Sequence, residues 1–280
     1  MRSTTRPRRR RLRRPYFIRS VSLRRAAFVL PSLFTVSSIF CGFFAIALVL
    51  DHPAPHDIYR ASLAVFFGLF FDMADGRVAR LTRTQSEFGV QLDSLADLVT
   101  FGVAPATILY AWAFGPRELS GALLGFAFVA AGALRLARFN VLAAHAPRSS
   151  HYFVGLPIPV GAGTLLSLIM LQQRTLAAPP THRAEIVAFV LVVAYLMVSN
   201  VRYRTFKDVR PTPAALATVL AIGVAFLAVA VIFQPTLALL TLFGVYVASG
   251  LIESLIRRGK GPVDLPPALD SHQAQGEPRE

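Results

Sequence analysis

The sequence predicts an all-α integral membrane protein, a bundle of about eight transmembrane helices. Of its 280 residues, 54% are hydrophobic and only 16% are charged, whereas a typical soluble domain carries about 25% charged residues. Mean hydropathy is +0.54. The apolar residues fall in runs close to the roughly 20 residues that cross a bilayer as a helix. Basic residues recur between alternate runs, as the positive-inside rule requires.

The apolar runs define the predicted spans. They lie near residues 28–50, 58–80, 90–113, 119–141, 155–172, 185–201, 213–233 and 236–256. Basic residues precede the first run and follow every second one, so we expect both termini on the cytoplasmic side of the cell membrane. This alternation favours an even number of spans. No internal repeat is strong enough to indicate a duplicated transporter fold.

The segments outside the predicted transmembrane domain, 27–258, differ sharply in charge. The predicted juxtamembrane arm, 1–26, holds eleven Arg and no acidic residue within its first 25 positions, and so carries +11 of the net +14. Because a span follows it directly, attraction to anionic membrane lipids is favoured over nucleic-acid binding. The Pro-rich, Gln-rich tail at 259–280 is predicted to be disordered. The single cysteine, Cys41, has no partner for an internal disulfide and is interpreted as a packing residue.

Four aspartates break the apolar pattern. Asp72 and Asp75 are three residues apart on the second predicted helix, and Asp93 and Asp97 are four apart on the third. Either spacing places a pair on one helix face. Carboxylates at membrane depth are costly and indicate function by default. If the two helices form a hairpin, we expect all four side chains to converge.

The segment between these helices supports a hairpin. Residues 81–88, "LTRTQSEF", are short and polar, and Ser86 is predicted to cap the third helix. Converging carboxylates repel one another unless they take up protons or bind cations. Hard oxygen ligands with no His or Cys nearby favour a pair of Mg²⁺ or Mn²⁺ ions over zinc. Alternatively, Asp72 or Asp75 taken alone could pair with Arg80.

Small and basic residues accompany the aspartates. Gly76 interrupts a helix, where glycine costs about 0.5–1 kcal/mol relative to alanine, and Gly89 begins the next helix. Their missing side chains would let a phosphate ligand approach the backbone. Ala79 is also small, and Arg80 can reach a phosphate oxygen. Taken alone, Gly76 could equally be a helix-packing residue.

The complete spacing resembles the signature of the CDP-alcohol phosphotransferase family. It reads D-x2-D-G-x2-A-R-x8-G-x3-D-x3-D, with eight fixed positions across residues 72–97. The resemblance implies a helical, usually homodimeric enzyme with its active site at the cytoplasmic face and residues 27–258 as the catalytic domain. Such an enzyme moves a substituted phosphate from a CDP-linked donor to an alcohol and releases CMP.

The same resemblance implies roles for the eight positions. Asp72, Asp75 and Asp93 are expected to hold the metal ions. Asp97 also lies at the metals and is the candidate general base. The positions expected to contact the CDP portion are Gly76, Ala79, Arg80 and Gly89.

Further stretches resemble one branch of the family, which uses CDP-diacylglycerol and L-serine. They are "PSLFTVSSIFCGF" at 31–43, "DSLADLVTFGVAPA" at 93–106, "ALRLARFN" at 133–140, "GLPIP" at 155–159 and "MVSNVRYRTFK" at 197–207. Ser32 stands where the branch would have Asn. The resemblance implies that the serine hydroxyl attacks the phosphatidyl phosphorus after Asp97 takes its proton.

The acceptor pocket is predicted on the fourth helix. Arg135, Arg138 and Asn140 cluster near its cytoplasmic end, and an arginine can grip the carboxylate of serine with two hydrogen bonds. Positive-inside anchoring is the simpler alternative. Another family member, such as a phosphatidylglycerophosphate synthase, would share the aspartates. A cation transporter could use the same aspartates as an ion site, but it would not need the glycine, alanine and arginine spacing.

Overall fold

The computed structural model describes residues 17–82, 86–115, 117–145, 152–176, 183–204 and 235–257. Its helices are α1 (Phe17–Leu48), α2 (Pro55–Thr82), α3 (Glu87–Asp97), α4 (Ala104–Ala113), α5 (Leu119–His145), α6 (Ile158–Leu176), α7 (Arg183–Val198) and α8 (Pro235–Arg257). A π-helical segment, Leu98–Val103, joins α3 to α4. Two short strands, β1 (Tyr152–Val154) and β2 (Arg202–Arg204), pair antiparallel.

The helical membrane architecture predicted from the sequence is confirmed in outline. Within the described residues, the helical stretches that are long and apolar enough to cross a membrane are Glu87–Ala113, Leu119–Ala143 and Pro235–Ser254. Ser32–Leu48 is apolar but shorter. The predicted run near 213–233 lies outside the described residues, as does the tail at 259–280. The β1–β2 ribbon is an addition to the predicted all-α fold.

The first helix begins earlier than its apolar run. α1 starts at Phe17, within the predicted basic arm at 1–26, and residues 1–16 lie outside the described part. Residues 17–26 contain neither glycine nor proline, so nothing in the backbone stops the helix where the apolar residues stop. Helix and apolar run therefore differ in extent.

The third predicted span is a helix with a register change inside it. Ser86 caps its start, because the Ser86 hydroxyl accepts a hydrogen bond from the Gly89 N–H at 3.0 Å, which confirms the predicted cap. Further along, Ala104 N–H bonds to the carbonyl of Val99, five residues back. Pro105 has no N–H to donate, so an unbroken series of α-helical bonds cannot pass through this point.

The ribbon secures the chain beside α7 and α8. Gly155, with a φ of +81°, ends β1 in a conformation that glycine adopts without strain, and its N–H donates to the carbonyl of Val201 at 2.9 Å. Tyr203 of β2 is fully buried and stacks on Tyr246 of α8, with ring centroids 5.7 Å apart. Burial raises the pKa of Tyr203 to about 12, so its phenol remains a hydrogen-bond donor at neutral pH.

Candidate active site

An acidic cluster forms between α2 and α3, which both pack against α1. Carboxylate oxygens of Asp72, Asp75 and Asp93 lie within 4.8 Å of one another. Asp75 is buried, with 6% of its surface exposed, and the other two are half-buried. The hairpin predicted from the sequence therefore brings the two helix faces together. Carboxylates this close repel one another strongly unless they take up protons or bind a cation.

Asp97 lies one turn beyond Asp93 and joins the same cluster. Its carboxyl group is within hydrogen-bonding range of Asp72 and interacts electrostatically with Asp93. Its Oδ1 atom is buried and has no hydrogen-bond partner in the described part of the chain. A buried polar oxygen without a partner costs about 1–3 kcal/mol. This oxygen is therefore suited to a cation or to a donor on a bound molecule.

Thr35 is a site residue that the sequence interpretation missed. From α1, its hydroxyl donates a hydrogen bond to Asp75 Oδ2 at 2.7 Å, in a buried position. The bond orients the carboxylate and takes up one lone pair of Oδ2. A threonine between Phe34 and Val36 is a weak signal, because hydroxyl residues in transmembrane helices usually bond to their own backbone.

The four residues expected to contact CDP occupy the hairpin next to the acids. Gly76 and Ala79 lie half-buried on α2 within two turns of Asp72. Gly89 lies in the first turn of α3 and donates its N–H to Ser86. Arg80 belongs to α2, but its side chain lies outside the described residues. Their contact with CDP stays a prediction.

The three residues predicted to form the acceptor pocket point to different neighbours. Arg135 is buried, with 8% of its surface exposed, and it interacts electrostatically with Asp97 and with Tyr246 of α8. Its guanidinium lies 5.4 Å from the centre of the Phe139 ring. Its Nε atom has no hydrogen-bond partner within the described residues. Arg135 therefore faces the acidic cluster with part of its hydrogen-bonding capacity free.

Arg138 and Asn140 face elsewhere. Arg138 is half-buried and donates to the Asn200 side-chain oxygen at 2.7 Å, just beyond the end of α7. The Asn140 side-chain amide donates to the Ser94 hydroxyl at 2.9 Å, on α3. The structure thus divides the predicted group, and Arg135 is the member that interacts electrostatically with Asp97. A role in acceptor binding stays a prediction for all three.

The family model and the similar known proteins agree on one family. The family model described as CDP-alcohol phosphatidyltransferase matches residues 28–251. A CDP-diacylglycerol–serine O-phosphatidyltransferase of Helicobacter pylori is 36% identical over 228 residues, which cover 81% of this chain and 92% of that protein. The enzyme of the same name from Bacillus subtilis is 35% identical over 178 residues, 64% of this chain and 91% of its own. A Saccharomyces cerevisiae protein of that name is 44% identical over 144 residues, about half of each chain.

Proposed function

This chain belongs to the CDP-alcohol phosphatidyltransferase family, and we propose that it transfers the phosphatidyl group from CDP-diacylglycerol to L-serine. The products are phosphatidylserine and CMP. The observation that carries the proposal is the cluster of Asp72, Asp75 and Asp93, with oxygens within 4.8 Å of one another, at the positions of the family signature. The names of the relatives, which extend over most of this chain, support serine as the acceptor.

The donor set fits divalent cations. Carboxylate oxygens from Asp72, Asp75 and Asp93 are the hard ligands that Mg²⁺ and Mn²⁺ prefer, and Asp97 offers a buried oxygen that has no partner within the described ranges. These aspartates would hold a pair of ions. When bound, the ions would neutralise the diphosphate of the donor and the charge that develops on it during transfer.

The side chains at the site have separate proposed roles in the transfer. Asp97 takes the proton from the serine hydroxyl, and the resulting oxygen nucleophile attacks the phosphorus that carries diacylglycerol. The bond from that phosphorus to the CMP oxygen breaks, and CMP leaves with the electron pair. Arg135 binds the serine carboxylate, because it interacts with Asp97 and its Nε has no hydrogen-bond partner among the described residues. Holding serine by its carboxylate places its hydroxyl near the base.

The position of the site in the membrane follows from the charge pattern. The acids lie near the C-terminal end of α2 and on α3, close in sequence to Arg77, Arg80 and Arg83, so we place the active site at the cytoplasmic face of the cell membrane. This arrangement includes eight spans and cytoplasmic termini, with the catalytic domain at 27–258. We further propose a homodimer, an arm at 1–26 that contacts anionic lipids and no nucleic-acid partner. CDP-diacylglycerol would enter sideways from the bilayer.

The direct test is CMP release by the purified full-length protein in detergent. The assay supplies CDP-diacylglycerol and Mn²⁺ or Mg²⁺, with L-serine, glycerol 3-phosphate or inositol offered as separate acceptors. We expect release with serine alone, lost on chelation and restored by added metal. Release with glycerol 3-phosphate instead would assign the chain to another branch of the family. Absence of release with every acceptor, from protein that is folded by circular dichroism, would favour an ion-transport role for the aspartates.

A further inference from the structure

The π-helical segment controls where the carboxylates of α3 point. It begins directly after Asp97 and places the extra residue of a π-turn between the acids and α4. Since each residue of an α-helix turns the chain by about 100°, this insertion rotates the acid-bearing face of α3 relative to the buried face of α4 by about that angle. α4 is anchored in the core through Ile108 and Leu109, which are fully buried. The direction of Asp93 and Asp97 thus depends on how the segment is held.

A buried pair of hydroxyl groups holds it. Thr100, in the middle of the segment, donates from its Oγ1 to the backbone carbonyl of Ser38 on α1 at 2.9 Å. The Ser38 hydroxyl donates to the backbone carbonyl of Gly68 on α2 at 3.2 Å and lies 3.4 Å from Thr100 Oγ1. Thr100 and Ser38 are 0% and 2% exposed. These bonds join three elements that are far apart in sequence.

Two glycines make the contact possible. A Cβ atom at Gly42 of α1 would lie 2.8 Å from the Thr100 Cα, and one at Gly68 of α2 would lie 2.6 Å from the Thr100 Cγ2. Real Cβ atoms do not approach other atoms so closely, so any side chain at either position would push the π-helical segment away. Small residues at helix contacts permit this kind of close backbone approach in membranes.

The contact lies one helical turn from the nearer aspartate of each pair. Gly68 precedes Asp72 by four residues, and Thr100 follows Asp97 by three. Tying Thr100 to Gly68 through Ser38 therefore sets the separation of α2 and α3 at the level just beyond the carboxylates. We propose that Thr100 is a positioning residue for the reaction. It touches no reacting atom, and it acts by holding the π-helical segment so that Asp93 and Asp97 face Asp72 and Asp75.

This inference rests on the proposed metal site, so its test measures metal binding separately from turnover. The variants are Thr100→Val, which keeps the shape and loses the hydroxyl, and Thr100→Ser, which keeps the hydroxyl. Thr164→Val is the matched control. Thr164, on α6, is 4% exposed and donates its hydroxyl to the Val160 carbonyl of its own helix at 2.7 Å, so the same substitution removes a buried threonine hydroxyl that joins no second element and lies on a helix that supplies no acid.

Each full-length variant is titrated with Mn²⁺ and followed by electron paramagnetic resonance, and its melting temperature and CMP release are measured. Thr100→Val is expected to weaken Mn²⁺ binding about tenfold and lower kcat by a similar factor, as losses of ligand-orienting contacts do. Thr164→Val should lower the melting temperature comparably while its Mn²⁺ affinity stays at the wild-type value. Thr100→Ser should recover most of the affinity.

The possible contrary results separate the two proposals. Wild-type affinity and turnover in Thr100→Val, with a melting temperature lowered as in Thr164→Val, would show that Thr100 only stabilises the fold. Equal loss of Mn²⁺ affinity in Thr100→Val and Thr164→Val would also overturn a specific positioning role. If wild-type protein released CMP without binding Mn²⁺, the proposed metal site would be wrong, and this inference with it. The proposed transferase activity would still stand.

Discussion

The sequence predicted functional residues both in the acidic pairs of α2 and α3 and at the C-terminal end of α5, but the two groups are arranged differently in the structure. Asp72, Asp75 and Asp93 come together from two helices that are adjacent in sequence. Arg135, Arg138 and Asn140 share one helix, yet Arg135 interacts electrostatically with Asp97 and Tyr246, while Arg138 bonds to Asn200 and Asn140 bonds to Ser94.

The difference comes from what each pattern encodes. A spacing of three or four residues fixes a shared helix face, and a short hairpin leaves few ways for two such faces to meet. A cluster on a single helix fixes only the directions of its side chains. What lies in each direction depends on helices that are remote in sequence. Substitutions at the acidic site should therefore reduce activity or metal binding most. Substitutions on α5 should distinguish which of its three residues contacts the acceptor.

Removing the proposed base should have the largest effect. In Asp97→Asn the side chain keeps its shape but can no longer take the serine proton, so kcat should fall by about 10²–10⁴-fold. Turnover is measured as serine-dependent CMP release, with circular dichroism as the check on folding. Near-normal turnover in a folded variant would exclude Asp97 as the base. The effect on the KM for CDP-diacylglycerol should be much smaller.

Loss of the Thr35 hydroxyl should weaken metal binding without removing any metal ligand. Thr35→Val removes the 2.7 Å bond to Asp75 but leaves every carboxylate in place, so Mn²⁺ affinity should fall about 10–100-fold. Mn²⁺ titration of the variant measures this directly. Thr35→Ser, which can still donate, is the control and should remain near wild type. A Thr35→Val protein with unchanged affinity would show that Asp75 needs no orientation from α1.

The acceptor prediction concentrates on Arg135. Arg135→Lys keeps the positive charge beside Asp97 but loses the fork that can grip a carboxylate with two bonds. We expect the KM for serine to rise about tenfold, with the KM for CDP-diacylglycerol nearly unchanged, as for a lost acceptor contact. Steady-state kinetics with each substrate varied in turn gives both constants. A rise confined to the CDP-diacylglycerol KM would place Arg135 at the donor instead.

The parts of the site that the sequence predicted are those set by local geometry. The paired aspartates follow from helical spacing, and the Ser86 cap follows from a hydroxyl directly before a helix. The π-helical segment was not predicted. Pro105 and Gly102 signal an irregular helix, but which hydrogen bonds replace the lost ones depends on Ser38, 62 residues away from Thr100.

Thr35 and Tyr203 were missed for a related reason. The Thr35 bond joins residues 40 positions apart, and a single hydroxyl in an apolar run does not indicate its partner. Tyr203 stacks on Tyr246 because the β1–β2 ribbon carries it beneath α8, and strands of three residues are too short for a periodic signal. Contacts between remote segments arise from the packed fold, not from any one segment.

The smallest change in kinetics is expected from substituting Arg138. This substitution tests whether Arg135 and Arg138 have different roles. Arg138 is half-buried and its guanidinium bonds to Asn200, just beyond α7, so Arg138→Ala should change the serine KM by no more than about twofold, the size of a substitution outside the site. The same kinetic assay that is used for Arg135→Lys measures it. If Arg138→Ala raised the serine KM as much as Arg135→Lys does, both arginines would have to reach the acceptor. That result would require the end of α7 to release Arg138 when substrate binds, since Asn200 holds its guanidinium in this structure.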